Sequence, residues 1–309
     1  MSGSHHEDHG HHHGHTAPGP GGGLAFPLAV ILNLGFVIAE VAAGLLNHSM
    51  ALLADAGHNF SDVLSLLLAW GASILAARPP SARFTYGLKS SSILAAIANA
   101  ALLWVALGAI LVETLRHLAQ PTPVGGHMMM LIAGIGIVIN FASALLFARG
   151  RKGDINLRAA FQHLMADAAV SAGVVGAGLL IVLTGRSWID PVTSLVITGV
   201  IAWSSWSLLR DAVRMGLLGV PDGIDEGAVR SFLADQPGVS AVHDLHIWPM
   251  STTETALTAH LVIPDGHPGD MFLHELAHGL EHDFGIGHAT VQIEVEDSEA
   301  CHLESEVVV

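Results

Sequence analysis

One cysteine, Cys301, occurs in 309 residues. A single thiol excludes a disulfide framework within the chain and any cysteine-based zinc cluster. Charge is scarce as well: Asp, Glu, Lys and Arg make up 13% of the residues, about half the roughly 25% of an ordinary soluble domain. Only 12 residues are Lys or Arg against 27 Asp or Glu. That balance argues against a nucleic-acid partner, because the phosphate backbone calls for basic side chains. Disorder of the whole chain is excluded by its 51% hydrophobic content and mean hydropathy of +0.54, since segments that stay unfolded lack apolar surface to bury.

The formal net charge of −15 is unevenly placed. From Met215 onward 17 acidic residues face one basic residue, Arg230, while residues 1–214 are close to neutral. The chain therefore has two physical halves. Seven of its 21 histidines fall in the first fifteen residues and nine in the acidic half. Residues 1–23, MSGSHHEDHGHHHGHTAPGPGGG, contain nothing to pack and read as a disordered His-rich tail. They lack the basic n-region of a secretory signal.

Crossing a bilayer takes about 20 apolar residues per helix. Six segments of residues 24–214 qualify: 24–46, 50–77, 91–117, 125–148, 158–184 and 190–213. Each is apolar nearly all round, which suits lipid. Pro121 and Pro123 break the chain between the third and fourth, and Asp190-Pro191 has the form of an N-cap followed by a helix-starting proline. Arg78, Arg83, Lys89, Arg149, Arg151, Lys152, Arg158, Arg210 and Arg214 flank one side, while only Arg116 and Arg186 flank the other. Positive loops stay cytoplasmic, so six spans predict cytoplasmic N- and C-termini. Residues 215–309 read as a small α+β domain: a helix over Asp225–Asp235, strands over Val239–Trp248 and Thr255–Ile263, a helix over Asp270–Phe284 and a strand over Ala289–Val295. Alternation along the first strand predicts His243 and Leu245 on one face and His246 on the other.

The strongest chemical signal is a repeated pair inside the spans. His58 precedes Asp62 by four residues, and His163 precedes Asp167 by four, so each pair shares one helical face. An ionised Asp at bilayer depth is costly and must face a partner or a pathway. Two helices each offering an imidazole and a carboxylate make an N2O2 set suited to tetrahedral zinc, and two carboxylates neutralise a divalent ion. Asp62 lies 16 residues before Arg78, whereas Asp167 lies 9 after Arg158. At 1.5 Å per residue these depths are about 24 Å and about 14 Å, so either the second helix projects past the bilayer or the span boundaries shift. Asp55, one turn before His58, reads as a structural group, a proton relay or a further ligand. Glu40, Asn33, Asn140 and Ser171 read as interhelical hydrogen-bonding groups.

In the acidic half, His274-Glu275-Leu276-Ala277-His278 matches H-E-x-x-H, in which two His hold zinc and Glu is the base. The extended form needs Gly and His where Glu281 and Phe284 stand, and Leu273, Leu276 and Leu280 claim the buried face. The motif therefore reads as a surface stripe, not a protease. His243, His246 and His260 on the strands, amid so many acids, form an environment that concentrates cations.

The chain resembles zinc exporters of the cation diffusion facilitator family. The carriers are Leu53-Ala54-Asp55-Ala56-Gly57-His58 with Asp62, Tyr86-Gly87 with Asn99-Ala100, His163 with Asp167, Gly219-Val220-Pro221, His243-Asp244-Leu245-His246-Ile247-Trp248, and His260. The resemblance implies a membrane all-α unit of six helices with a cytoplasmic ferredoxin-like αββαβ domain. It implies a homodimer in the lipid bilayer, and no enzyme: a secondary transporter that exports cytoplasmic Zn²⁺ against protons by alternating access. The implied segments are a His-rich tail (1–23), a transport domain (24–214) and a metal-sensing, dimerising domain (215–309), in a bacterial inner (cell) membrane. His58, Asp62, His163 and Asp167 match the family's transport site, a two-His, two-Asp set that resembles zinc-preferring members. His243 and His260, with His274 as a third, match a regulatory cytoplasmic zinc site. Where some members add His and Asp on the last strand, this chain has Gln292 and Glu294, and Ser90 and Ser92 replace Arg and Glu in the second–third loop. The rival readings are a zinc-binding membrane sensor or buffer and, more remotely, the H-E-x-x-H protease. Deletion of residues 1–20 separates transporter from buffer: a transporter keeps vesicle zinc uptake with a modest change in affinity or rate, whereas a buffer built on the tail loses its function.

Overall fold

A computed structural model describes residues 25–120, 122–147 and 155–295. The His-rich segment 1–23, the Arg149, Arg151 and Lys152 cluster and Cys301 lie outside the described residues. The element order is α1 (Ala25–Leu46), α2 (Met50–Ala76), α3 (Ser91–Ala119), α4 (Gly126–Phe147), α5 (Ile155–Thr184), α6 (Ile189–Gly216), α7 (Glu226–Ala234), β1 (Ala241–Pro249), β2 (Thr255–Val262), α8 (Asp270–Phe284) and β3 (His288–Glu294). Five of the first six helices, α2 to α6, are long and apolar enough to cross a membrane, and α1 contributes the apolar stretch Asn33–Leu46. The predicted spans thus reappear as helices with ends shifted by a few residues.

Two units are distinguished by their internal contacts: residues 1–70 with 98–208, and residues 71–97 with 209–309. In the first, one apolar cluster draws on all six helices, through Ala43, Leu52, Leu107, Met129, Val174 and Ile201 among others. Most of its members lie near the start of α2, α4 and α6 and the end of α5, so that end of the bundle is closely packed and apolar. Close approach supports it: a side chain at Gly126 would meet the Gly178 carbonyl at 2.8 Å, so α4 and α5 touch backbone to backbone.

Asp190 departs from its predicted role. It does not cap its own helix; it is wholly buried within the first turn of α6. Its carboxylate accepts from Ser49 Oγ (2.6 Å) and from the Met50 and Ala51 amides (2.7 and 3.3 Å). The free amides at the N-terminus of α2 need acceptors, and the helix dipole favours an anion there. The cap is therefore supplied from another helix, which local sequence cannot reveal.

In the second unit α7 begins at the N-cap Asp225, whose side chain accepts from Gly227 N and Ala228 N. The sheet has order β1-β2-β3, with β1 antiparallel and β3 parallel to β2. Leu233, Leu257, Leu261, Leu276, Leu280 and Ile286 fill the core between sheet and helices. The unit also includes the loop from α2 to α3: Ser90 Oγ donates to the Met250 carbonyl (3.1 Å), Thr252 N donates to Ser92 Oγ (3.1 Å), and Lys89 pairs with Glu254. The end of α2 from Gly71, the start of α3 to Ile97 and the end of α6 from Leu209 all group with this unit.

Replacing Asp190 with Ala leaves two buried amides and Ser49 without their acceptor. The expected cost is about 1–3 kcal/mol, read as a lower unfolding temperature in detergent; an unchanged temperature removes the interhelical cap.

Candidate metal centre

His58 and Asp62 sit one turn apart on α2, and His163 and Asp167 one turn apart on α5. The two helices run antiparallel here, so His58 meets Asp167 and Asp62 meets His163. His58 Nε2 lies 3.1 Å from Asp167 Oδ1 and 3.9 Å from Asp62 Oδ2. His163 Nε2 lies 3.3 Å from Asp62 Oδ2 and 3.6 Å from Asp167 Oδ2. Asp62 meets both imidazoles through Oδ2, whereas Asp167 meets His58 through Oδ1 and His163 through Oδ2. His58, His163 and Asp167 hold donor atoms within 4.8 Å of one another, and Asp62 lies outside that tighter group. Ligands about 2.0–2.2 Å from a tetrahedral zinc stand roughly 3.3–3.6 Å from one another, and the four nitrogen–oxygen contacts scatter about that range. The imidazole rings meet edge to face, with centroids 5.9 Å apart, so both Nε2 atoms converge on one volume.

Exposure is graded along the bundle. Asp62 and His163 are 29% and 23% exposed, His58 16% and Asp167 6%. The more open pair lies toward the C-terminal end of α2 and the N-terminal end of α5. Beyond the closed pair comes the packed end of the bundle, with Ala51, Leu52 and Ala54 buried. Two further polar links lie on that side: Ser171 Oγ donates to Asp55 Oδ2, and Asn59 Nδ2 donates to Glu40 Oε2, both at 2.9 Å.

A second cluster lies on the sheet. His243 and His260 are register partners across β1 and β2, with ring centroids 5.1 Å apart. His260 Nδ1 is 3.0 Å from Glu294 Oε1, and His243 Nε2 is 3.3 Å from Glu294 Oε2. Asp244 Oδ2 is 3.4 Å from His260 Nε2, and Asp244 also pairs with His246. His243 Nε2 is buried and makes no hydrogen bond, and the polar group it faces is the Glu294 carboxylate. His243, His260 and Glu294 hold donor atoms within 4.8 Å of one another.

The simple alternation predicted for β1 fails at Asp244. The register slips between His243 and His246, and Asp244 takes φ +49, a left-handed conformation that Asp tolerates better than most residues. The bulge inserts one residue, so Leu245 joins the core while His243 and His246 share the opposite face with His260 and Thr258. Bulges commonly re-aim side chains beside sites. Glu294, set down from sequence only as a departure from the family pattern, is brought in by the parallel pairing of β3; its spacing of two from Gln292 was the available signal.

His274 does not join this group. It lies with His278 on the exposed face of α8, opposite the buried Leu276 and Leu280. The His278 and His282 rings stack 6.1 Å apart. Among the described residues, no group of three close donors includes the H-E-x-x-H histidines.

Six apolar helices bearing a convergent His/Asp set, followed by an α+β domain, define a multi-pass membrane protein. The chain belongs to the cation efflux family: residues 27–215 match its cation efflux transmembrane domain and residues 221–296 its cation efflux protein, cytoplasmic domain. It is 35% identical over 304 residues to the zinc transporter ZitB of Escherichia coli, covering 96% of this chain and 97% of that one. It is 33% identical over 284 residues to the metal cation efflux system protein CzcD of Cupriavidus metallidurans, covering 91% and 90%. It is 33% identical over 274 residues to the cadmium, cobalt and zinc/H(+)-K(+) antiporter of Bacillus subtilis, covering 87% and 88%.

Proposed function

We propose that this protein exports Zn²⁺ from the cytoplasm in exchange for protons. The convergence of His58, Asp62, His163 and Asp167 carries the reading. Their nitrogen–oxygen contacts of 3.1–3.9 Å suit a small tetrahedral ion, and the two carboxylates balance a divalent charge. Relatives named as a zinc transporter and as an antiporter of cadmium, cobalt and zinc against H⁺ and K⁺ support the substrate class and the exchange. The relatives are bacterial, which fits an inner-membrane protein, and the basic residues flanking α2–α3, α4–α5 and the end of α6 favour cytoplasmic termini.

Metal binding needs deprotonated ligands. Imidazole changes charge close to neutral pH, so zinc and protons compete for the set: zinc binding releases the protons held there, and protons arriving on the other side displace zinc. The exposure gradient favours an arrangement open toward Asp62 and His163, the cytoplasmic end under this orientation. The packed apolar cluster closes the far end. Alternating access then requires that this cluster part while the Asp62 side closes.

The sheet cluster is the regulatory zinc site of this reading, formed by His243, His260 and Glu294, with Asp244 beside them. The protein works as a homodimer through the cytoplasmic domain. Two strongly acidic domains repel one another, and zinc bound to them lowers that repulsion and draws them together.

In proteoliposomes a pH gradient drives zinc flux, and Asp62→Ala or Asp167→Ala abolishes it; full flux in either variant removes the site assignment. For the cytoplasmic cluster, Glu294→Ala or His243→Ala lowers zinc affinity by at least roughly tenfold, the scale on which even supporting partners act, while His274→Ala leaves it unchanged. Calorimetry with the transport set disabled reads these values, and an equal loss from His274→Ala restores that residue to the set.

A further inference from the structure

We infer that Glu40 and Asp55 form a buried carboxyl pair that holds one proton between them, a proton-binding site separate from the zinc ligands. Glu40 on α1 and Asp55 on α2 are both wholly buried. Their carboxyl groups lie within hydrogen-bonding range of each other. One oxygen of each is already served: Asn59 Nδ2 donates to Glu40 Oε2 and Ser171 Oγ to Asp55 Oδ2. The other two, Glu40 Oε1 and Asp55 Oδ1, have no donor.

Both hydrogen-bonding partners are neutral, so two ionised carboxylates here would repel across a dry space with two lone oxygens unsatisfied. Buried polar atoms rarely stay unpaired, and paired carboxylates in one site do not both ionise. One proton resolves each difficulty: it removes a charge, and it supplies a hydrogen bond between the two carboxyl groups. The titratable groups that act on the pair are His58 of α2 and Asp167 of α5. From α4, Gly136 faces Ser171 and Phe36 and brings no charge.

The pair and the zinc ligands share α2, which carries Asp55, His58, Asn59 and Asp62 within about two turns. Asn59, next to His58, holds Glu40 in place. A movement of α2 against α1 and α5 therefore separates the two carboxyls. The shared proton then leaves to water as the pair becomes a dianion, and one proton returns from water when the pair closes again. Its part in transport rests on the antiport reading, and adds one proton per cycle to those displaced from His58 and His163.

The test records zinc and proton fluxes together in proteoliposomes of the full chain, for wild type, Glu40→Gln and Asp55→Asn. Both substitutions keep the shape and make that position permanently neutral. Zinc flux is expected to persist while the H⁺/Zn²⁺ ratio falls by about one proton. The infrared spectrum of the wild type at neutral pH is expected to show a protonated-carboxyl C=O band that weakens in Glu40→Gln. An unchanged ratio in both variants overturns the inference. Absence of the infrared band in the wild type also overturns it, and that outcome is readable even where neither variant folds. A wild type whose zinc flux carries no protons would instead defeat the antiport reading, and the infrared band alone then decides the pair.

Discussion

An ionised side chain inside an apolar bundle has no water to share its charge, so another side chain or a backbone amide must take that role. Four acids of the first unit are almost completely buried: Glu40, Asp55, Asp167 and Asp190. Each finds its partner on another helix, and every one of those links involves α2. Glu40 of α1 receives Asn59, Asp55 receives Ser171 of α5, Asp167 of α5 meets His58, and Asp190 of α6 binds the first amides of α2. Ser65 of α2 accepts from Asn99 of α3 as well. The helix that carries His58 and Asp62 is thus the hub of the polar network. Residues that satisfy the cost of burial also hold the two His/Asp pairs in register.

Lipid-facing helices gain little from apolar contact with each other, because lipid is equally apolar. Close backbone approach at Gly126 and Gly178 and small-residue contacts position α4 against α5. The polar links then set the rotation of α2 and α5 about their axes. A helix turned by one residue would move His58 and Asp62 off the shared face, which ties specificity to a few hydrogen bonds and leaves the bulk of the apolar surface free to slide.

The C-terminal domain solves the opposite problem. It is strongly acidic and has water to spare, yet it gathers three potential ligands against one face of a small sheet. The bulge at Asp244 is the device. In regular alternation His243 would share a face with Leu245; with the bulge, Leu245 joins the core and His243 stands beside His260. Glu294 comes from β3, more than thirty residues along the chain from His260, and only parallel pairing with β2 delivers it.

Helix count, helix extents and the two His/Asp pairs were legible from sequence because they depend on short-range periodicity. About 20 apolar residues make a span, and a spacing of four puts two side chains on one face whatever surrounds them. The same reasoning identified the α8 histidines as a surface stripe, since Leu276 and Leu280 needed the buried side. Other features depend on which elements meet, and the local sequence is silent there. Asp190 looked like the cap of its own helix and serves α2 instead; His274, a ligand only by family resemblance, lies on an outer face; Glu294 looked like a departure and reaches the cluster. Amino-acid order along the chain dictated the helices and the ligand types they carry. Tertiary packing alone decided which carboxylate compensates which donor, because a buried charge is satisfied by whatever group lies within about 3 Å in space, and that distance is set by helix packing and strand register.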